Sequence, residues 1–166
     1  MRRHRGARTP RSSSPGREHS RLSQPTILLV EDNASDEELT LLALRRAKIM
    51  NEVVIARDGA EALDYLFATG AHASRGDRMP DLILLDLNLP KLSGLNVLRR
   101  IRTDERTRKL PVVILTSSKE ERDLAGGYLE GANSYIVKPI DFAQFAESVR
   151  QLGQYWLALN VPPPRD

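Results

Sequence analysis

The sequence predicts an α/β fold: a doubly wound parallel sheet of five strands with helices on both faces. Two observations carry that expectation. Short apolar runs alternate with stretches of helical periodicity five times along the chain, the pattern of strand–helix repeats. Runs such as LILLDL are continuously apolar, as in strands covered by helices on both sides, instead of alternating as in a sheet with one wet face.

TILLV (26–30) is the first strand and runs into Glu31, Asp32 and Asn33. SDEELTLLALRRAKI (35–49) follows as a helix, with Ser35 as N-cap, acids in its first turn and bases in its last, as the helix dipole prefers. EVVIA (52–56) is a β-branched second strand. Asp58 caps the helical stretch GAEALDYLFAT, where Ala62, Leu63, Leu66 and Phe67 form one apolar stripe. A Gly-containing charged loop fills 70–80, and DLILLDL is the third strand. Ser93 opens a helix through Ile101 with Leu95, Leu98 and Ile101 on its apolar face. PVVILT (111–116) is the fourth strand, its proline suited to an edge or a first position. SKEERDLAGGYLEG reads as a helix loosened by Gly126 and Gly127, and ANSYIVKP holds the fifth strand. A long helix spans about 141–159 with Asp141 at its cap. Right-handed crossovers and five strands make 2-1-3-4-5 the expected order, the flavodoxin-like arrangement.

With 166 residues the chain is one domain plus tails, and the absence of Cys excludes disulfides, zinc fingers and iron–sulfur clusters. No apolar stretch approaches the roughly 20 residues of a membrane span, and no hydrophobic signal segment opens the chain, so a soluble, cytoplasmic protein is expected. The net charge of +3 is unevenly distributed. Residues 1–25 hold seven Arg and one Glu; taking these from the 25 basic and 22 acidic residues of the chain leaves 18 and 21, a mildly acidic body. The Arg-, Ser- and Pro-rich segment 1–25 is expected to be a disordered tail, since it cannot bury enough apolar surface to fold. A nucleic-acid-binding arm is the weaker reading of it.

In this topology the carboxyl ends of strands 1, 3, 4 and 5 meet at one rim. There the sequence places Glu31 and Asp32, Asp86, Thr116, and Lys138. Three carboxylates repel one another unless a cation sits among them, and all-oxygen donors favour Mg²⁺. Asp32 and Asp86 are the expected direct ligands, Glu31 acts through a bound water, and the backbone carbonyl of Asn88 completes the protein's share. Lys138 brings a mobile positive charge and Thr116 a hydroxyl, an arrangement suited to phosphoryl transfer with Asp86 as nucleophile.

VEDN at the first strand end, LLDLNLP around Asp86, LTSS at the fourth strand and YIVKP at the fifth resemble the receiver domains of two-component response regulators. The resemblance covers about 26–155; the domain is expected over 26–158, leaving 159–166 as a C-terminal tail. It implies that Asp86 accepts a phosphoryl group from a partner histidine kinase, that Glu31 and Asp32 hold Mg²⁺, and that Lys138 pairs with the phosphoryl oxygens. It also implies that Thr116 swings toward the phosphoryl group, that Tyr135 follows by turning inward, and that Pro139 occupies a cis-peptide position. The protein is then a phosphoacceptor and not an enzyme in the ordinary sense. ILLVEDN, the 70–80 loop, DLNLPKLSG and the terminal QYW are similar to the single-domain regulators that partner phytochromes, although the basic arm departs from that pattern.

Singly, these residues have plainer explanations: Glu31 and Asp32 as first-turn acids, Lys138 as a solvated lysine, Tyr135 as half-buried core. Their coincidence at one rim is what those explanations leave out. His4, His19 and His72 are expected at the surface. Phe142, Phe145, Val149, Leu152, Trp156 and Leu159 recur at heptad-like spacing. A core stripe explains them in part, but Tyr155, Trp156 and Leu159 are expected to continue onto a second subunit as a homodimer. No output domain follows, so output is expected through protein–protein contact, with the face made by 117–130, strand 5 and the last helix remodelled on phosphorylation. Asn88 and Ser118 are expected to tune the phosphoryl lifetime. The alternative is a Mg²⁺-dependent aspartate-nucleophile phosphatase of the haloacid dehalogenase type. There the nucleophile opens a D-x-D, whereas here the position two past Asp86 is Asn88 and the acidic pair precedes the nucleophile.

Overall fold

Residues two apart along a strand face the same side of the sheet, so each buried strand feeds two separate cores. Strand β1 (Thr26–Val30) shows the division: Ile27 and Leu29 join one cluster, Leu28 and Val30 the other. The computed structural model describes residues 25–116, 131–138 and 141–164. Strands β1, β2 (Glu52–Ala56), β3 (Leu82–Asp86), β4 (Val112–Thr116) and β5 (Ser134–Val137) form one parallel sheet in the order β2-β1-β3-β4-β5, as expected.

Helix α1 (Ala34–Arg46) and the last α-helix, α4 (Phe142–Gln154), cover one face through Ala43, Leu44, Phe145 and Val149. Helices α2 (Gly59–Phe67) and α3 (Gly94–Thr103) cover the other through Ala62, Leu66, Val97, Leu98 and Ile101. Gly153 of α4 lies against Ile49, which follows α1, and a Cβ there would stand 2.1 Å from Ile49 Cδ1. Asp58, Ser93 and Asp141 cap α2, α3 and α4 as the sequence suggests.

Several boundaries differ. Asn33, not Ser35, caps α1: its side chain accepts from the Asp36 N–H, and Ser35 lies inside the first turn. Both residue types cap well; the chain leaves β1 so that Asn33 still has extended backbone. α2 stops at Phe67, where Ala68 turns left-handed, while α3 runs two residues past Ile101. Pro111 precedes an interior strand, which settles the first-position option over the edge. Segment 70–80 opens with a 3-10 turn, Gly70–His72, and His72 is half-buried with its ring edge-on to Tyr65 at 5.3 Å. The long helix is α-helical only to Gln154 and then widens into a π-helical turn, Tyr155–Leu159. The N-terminal tail to residue 24, the helix read at Gly126–Gly127, Ser118 and the Pro139 peptide bond lie outside the described residues.

Candidate phosphoacceptor site

Parallel register brings the active strand ends level. Val30 pairs with Leu85, Asp86 with Leu115 and Thr116 with Val137. Glu31 therefore follows β1 beside Asp86, which closes β3; Thr116 closes β4, and Lys138 follows β5. The Lys138 N–H donates to the Thr116 carbonyl at 2.5 Å, anchoring the lysine's backbone at the rim. Glu31, Asp86 and Thr116 are all buried.

Lys138 is the centre of the cluster. Its Nζ donates to Glu31 Oε2 at 2.5 Å, to Asp86 Oδ2 at 3.0 Å and to Asp36 Oδ2 at 3.0 Å. An ammonium has three donors, so this one is fully used. The side chain is 10% exposed, and so it is pinned where the sequence suggested mobility. Asp36 is the residue that the strand-end argument missed, because it lies on the first turn of α1 and reads there as a dipole-favoured acid.

The remaining lone pairs are met by backbone. Asn88 N–H donates to Asp86 Oδ1 at 2.9 Å, and Asn33 N–H to Glu31 Oε1 at 3.1 Å. Burial, together with the neighbouring Asp86 carboxyl, pushes Glu31 up to about 7 against the opposing pull of Lys138, whose charge is divided among three acids. For Lys138, burial acts to lower the pKa, but the Glu31, Asp86 and Asp36 carboxylates outweigh it and hold the ammonium well above its usual range.

One carboxylate oxygen each from Glu31, Asp32 and Asp86 lies within 4.8 Å of the others, with Asp32 exposed at the mouth. Three hard oxygen donors converging beside an open side fit a divalent cation that keeps part of its water shell. Tyr135 on β5, level with Ile114 of β4, is half-buried against the α2–α3 core, two strands away from Asp86. A cavity of about 740 Å³ lies at the opposite, amino-terminal end of the strands. It is lined by Pro25, Asp81 and Pro111, the residues that precede β1, β3 and β4, and has no part in this cluster.

Comparison with known proteins agrees with the geometry. The model of the response regulator receiver domain matches residues 27–150. Among curated proteins, the chain is 41% identical over 137 residues to the probable methanogenesis regulatory protein FilR2 of Methanothrix harundinacea, spanning 82% of this chain and 86% of that one. It is 37% identical over 137 residues to response regulator Rcp1 of Synechocystis, spanning 82% and 92%. Among solved structures, the bacteriophytochrome response regulator RtBRR is 51% identical with a TM-score of 0.71, covering 85% of each chain. The phosphorylated cyanobacterial phytochrome response regulator RcpA is 40% identical with a TM-score of 0.77, covering 85% and 99%. The Mn²⁺-bound form of Rcp1 is 35% identical with a TM-score of 0.75, covering 84% and 99%. These matches do not support the phosphatase alternative. A parallel sheet ordered 2-1-3-4-5, an acid cluster at its carboxyl rim and the match over 27–150 agree: this chain belongs to the response regulator receiver family, with phytochrome-associated single-domain regulators among its relatives.

Proposed function

We propose that Asp86 is the phosphoacceptor of a signalling switch and receives its phosphoryl group from a partner histidine kinase. The observation that carries this reading is the pair Asp86–Lys138, 3.0 Å apart at the ends of β3 and β5 beside Glu31 and Asp32. With Oδ1 held by the Asn88 N–H, Oδ2 is the oxygen free to attack once Lys138 moves aside. Attack on a phosphohistidine forms an Asp86 O–P bond and breaks the N–P bond; the imidazole leaves with the electron pair. The Lys138 ammonium, still protonated, then passes to the phosphoryl oxygens.

Mg²⁺, held by Asp32 and Asp86 with Glu31 behind a water and the Asn88 carbonyl as a further donor, would neutralise charge on the transferring oxygens. Thr116, buried at the β4 tip one residue past Leu115, the partner of Asp86, supplies the hydroxyl in this reading, and Tyr135 is the aromatic that follows it on switching. Pro139 as a cis-peptide position belongs to the same reading.

RtBRR and RcpA support a phytochrome-type kinase as the partner, while FilR2, about as similar as RcpA, bears another name. A homodimer through the last helix is supported by Tyr155 and Leu159, which are 51% and 72% exposed. Trp156 contributes less to such a surface, because it is half-buried against its own core and edge-on to Tyr155 at 4.9 Å. Among the described residues no helix is long and apolar enough to cross a membrane.

Intact-mass spectrometry with acetyl phosphate, with and without Mg²⁺, tests the core of the proposal. One phosphoryl group should appear only with Mg²⁺ and not in Asp86→Asn. Steady phosphate release without an adduct would instead favour a hydrolase.

A further inference from the structure

Asp36 lies three residues after the N-cap Asn33. In a reciprocal capping box, an acid at this position would reach back to the N-cap N–H. That donor is already taken, since Asn33 N–H bonds Glu31 Oε1 at 3.1 Å. The Asp36 carboxylate turns instead toward the rim and takes the third donor of Lys138.

The ammonium is thereby saturated before any phosphoryl group arrives. For attack, the ammonium must leave Asp86 Oδ2 and shift toward the incoming phosphoryl oxygens, and it can shift only if one of the other two carboxylates that hold it, Glu31 or Asp36, gives way. Asp36 is the one that can. Its side chain is 34% exposed, against 0% for Glu31, so water can take over its charge where Glu31 would be left buried and unpaired.

We infer that Asp36 is a positioning residue that holds the Lys138 ammonium in the unphosphorylated state and must release it during transfer, which restrains the rate at which Asp86 is phosphorylated. This rests on the phosphoacceptor reading of Asp86. No covalent change occurs at Asp36 or Lys138: one ion pair is exchanged for another and the proton stays on Nζ. Removing the Asp36 charge has two opposed consequences. Lys138 is freed for the phosphoryl oxygens and repulsion of the anionic donor falls, so transfer speeds up. The site also loses one acid near the cation, so apparent Mg²⁺ affinity falls.

The test follows intact mass over time with acetyl phosphate across a Mg²⁺ titration, for the full chain and for Asp36→Asn, Asp36→Ser and Asp36→Glu. At saturating Mg²⁺, Asp36→Asn and Asp36→Ser should acquire the phosphoryl group about 3–10-fold faster than the unaltered chain. Their half-saturating Mg²⁺ concentration should rise about twofold, and Asp36→Glu should stay within about twofold of the unaltered chain in both readouts. A residue that merely stabilised α1 would not raise the rate while weakening the metal. Rates at or below the unaltered chain in both charge-removing variants overturn this inference and leave Asp86 as acceptor. An unaltered chain that takes no phosphoryl group, or an Asp86→Asn variant that takes as much, overturns both.

Discussion

Gly94 packs directly against the backbone of Asp86: a Cβ on it would stand 2.2 Å from the Asp86 carbonyl oxygen and 2.6 Å from Leu87 Cα. Its N–H donates to the Leu87 carbonyl at 3.0 Å. Helix α3 thus starts in contact with the chain leaving Asp86, and the turn between them brings the Asn88 N–H onto Asp86 Oδ1.

Gly94→Ala should therefore damage fold and site together, because backbone atoms cannot yield as a side chain can. Overpacking of this kind costs about 1–3 kcal/mol, to be read as a lower urea midpoint. Phosphoryl uptake should slow in the same variant. Unchanged stability and uptake would mean that the turn is looser than the contact implies.

Glu31 predicts an unusual pH dependence in the absence of metal. Its folded pKa is raised from 4.5 to about 7, so over that window the native state holds more protons than the unfolded chain. Stability must then fall as pH rises through the window, by at most about 3 kcal/mol. Urea denaturation in EDTA at both ends should show this decline relative to Glu31→Gln, which lacks the titration. Added Mg²⁺ should offset it, since the metal binds the deprotonated form. Parallel profiles for the two proteins would remove Glu31 as the cause.

Arg102 is a structural counterpart of Lys138. Its guanidinium donates to Gly131 O at 2.8 Å, Arg108 O at 3.0 Å, Leu110 O at 2.7 Å and Asn133 Oδ1 at 2.7 Å, tying α3 to the chain ahead of β4 and β5. An ammonium cannot reproduce that planar fork. Arg102→Lys should lose about 1–3 kcal/mol with an unchanged m-value, while the acceptor chemistry persists at temperatures where the variant is folded.

The last helix can be tested through its mass in solution. If Tyr155 and Leu159 form a subunit contact, light scattering should give twice the 18.6 kDa chain mass, and Leu159→Asp should return it to the single-chain value. A single-chain mass at every concentration in the unaltered protein would end the dimer reading.

The strands and the rim were legible because a strand covered on both faces must be continuously apolar, and its first polar residue marks its tip. Glu31, Asp86 and Lys138 stand out for that reason, and strand alternation with helices restricts the topology enough to bring the tips together. Asp36 was not legible in this way. On a helix it is one of three consecutive acids, Asp36, Glu37 and Glu38, and nothing local distinguishes the one that reaches Lys138. Arg102 and Gly94 were hidden similarly, since their partners lie in segments apart from them or in backbone atoms that carry no side-chain signal.

The sequence by itself determined the sheet order, the presence of helices on both faces and the identity of the acids at the strand ends, because these follow from periodicity and chain connectivity. Tertiary structure alone decided which acid shares the lysine, that Asn33 rather than Ser35 caps α1, and that Trp156 folds back on its own core. Each of those outcomes is a competition between partners of similar local merit. Only the distances fixed by packing the whole sheet choose among them.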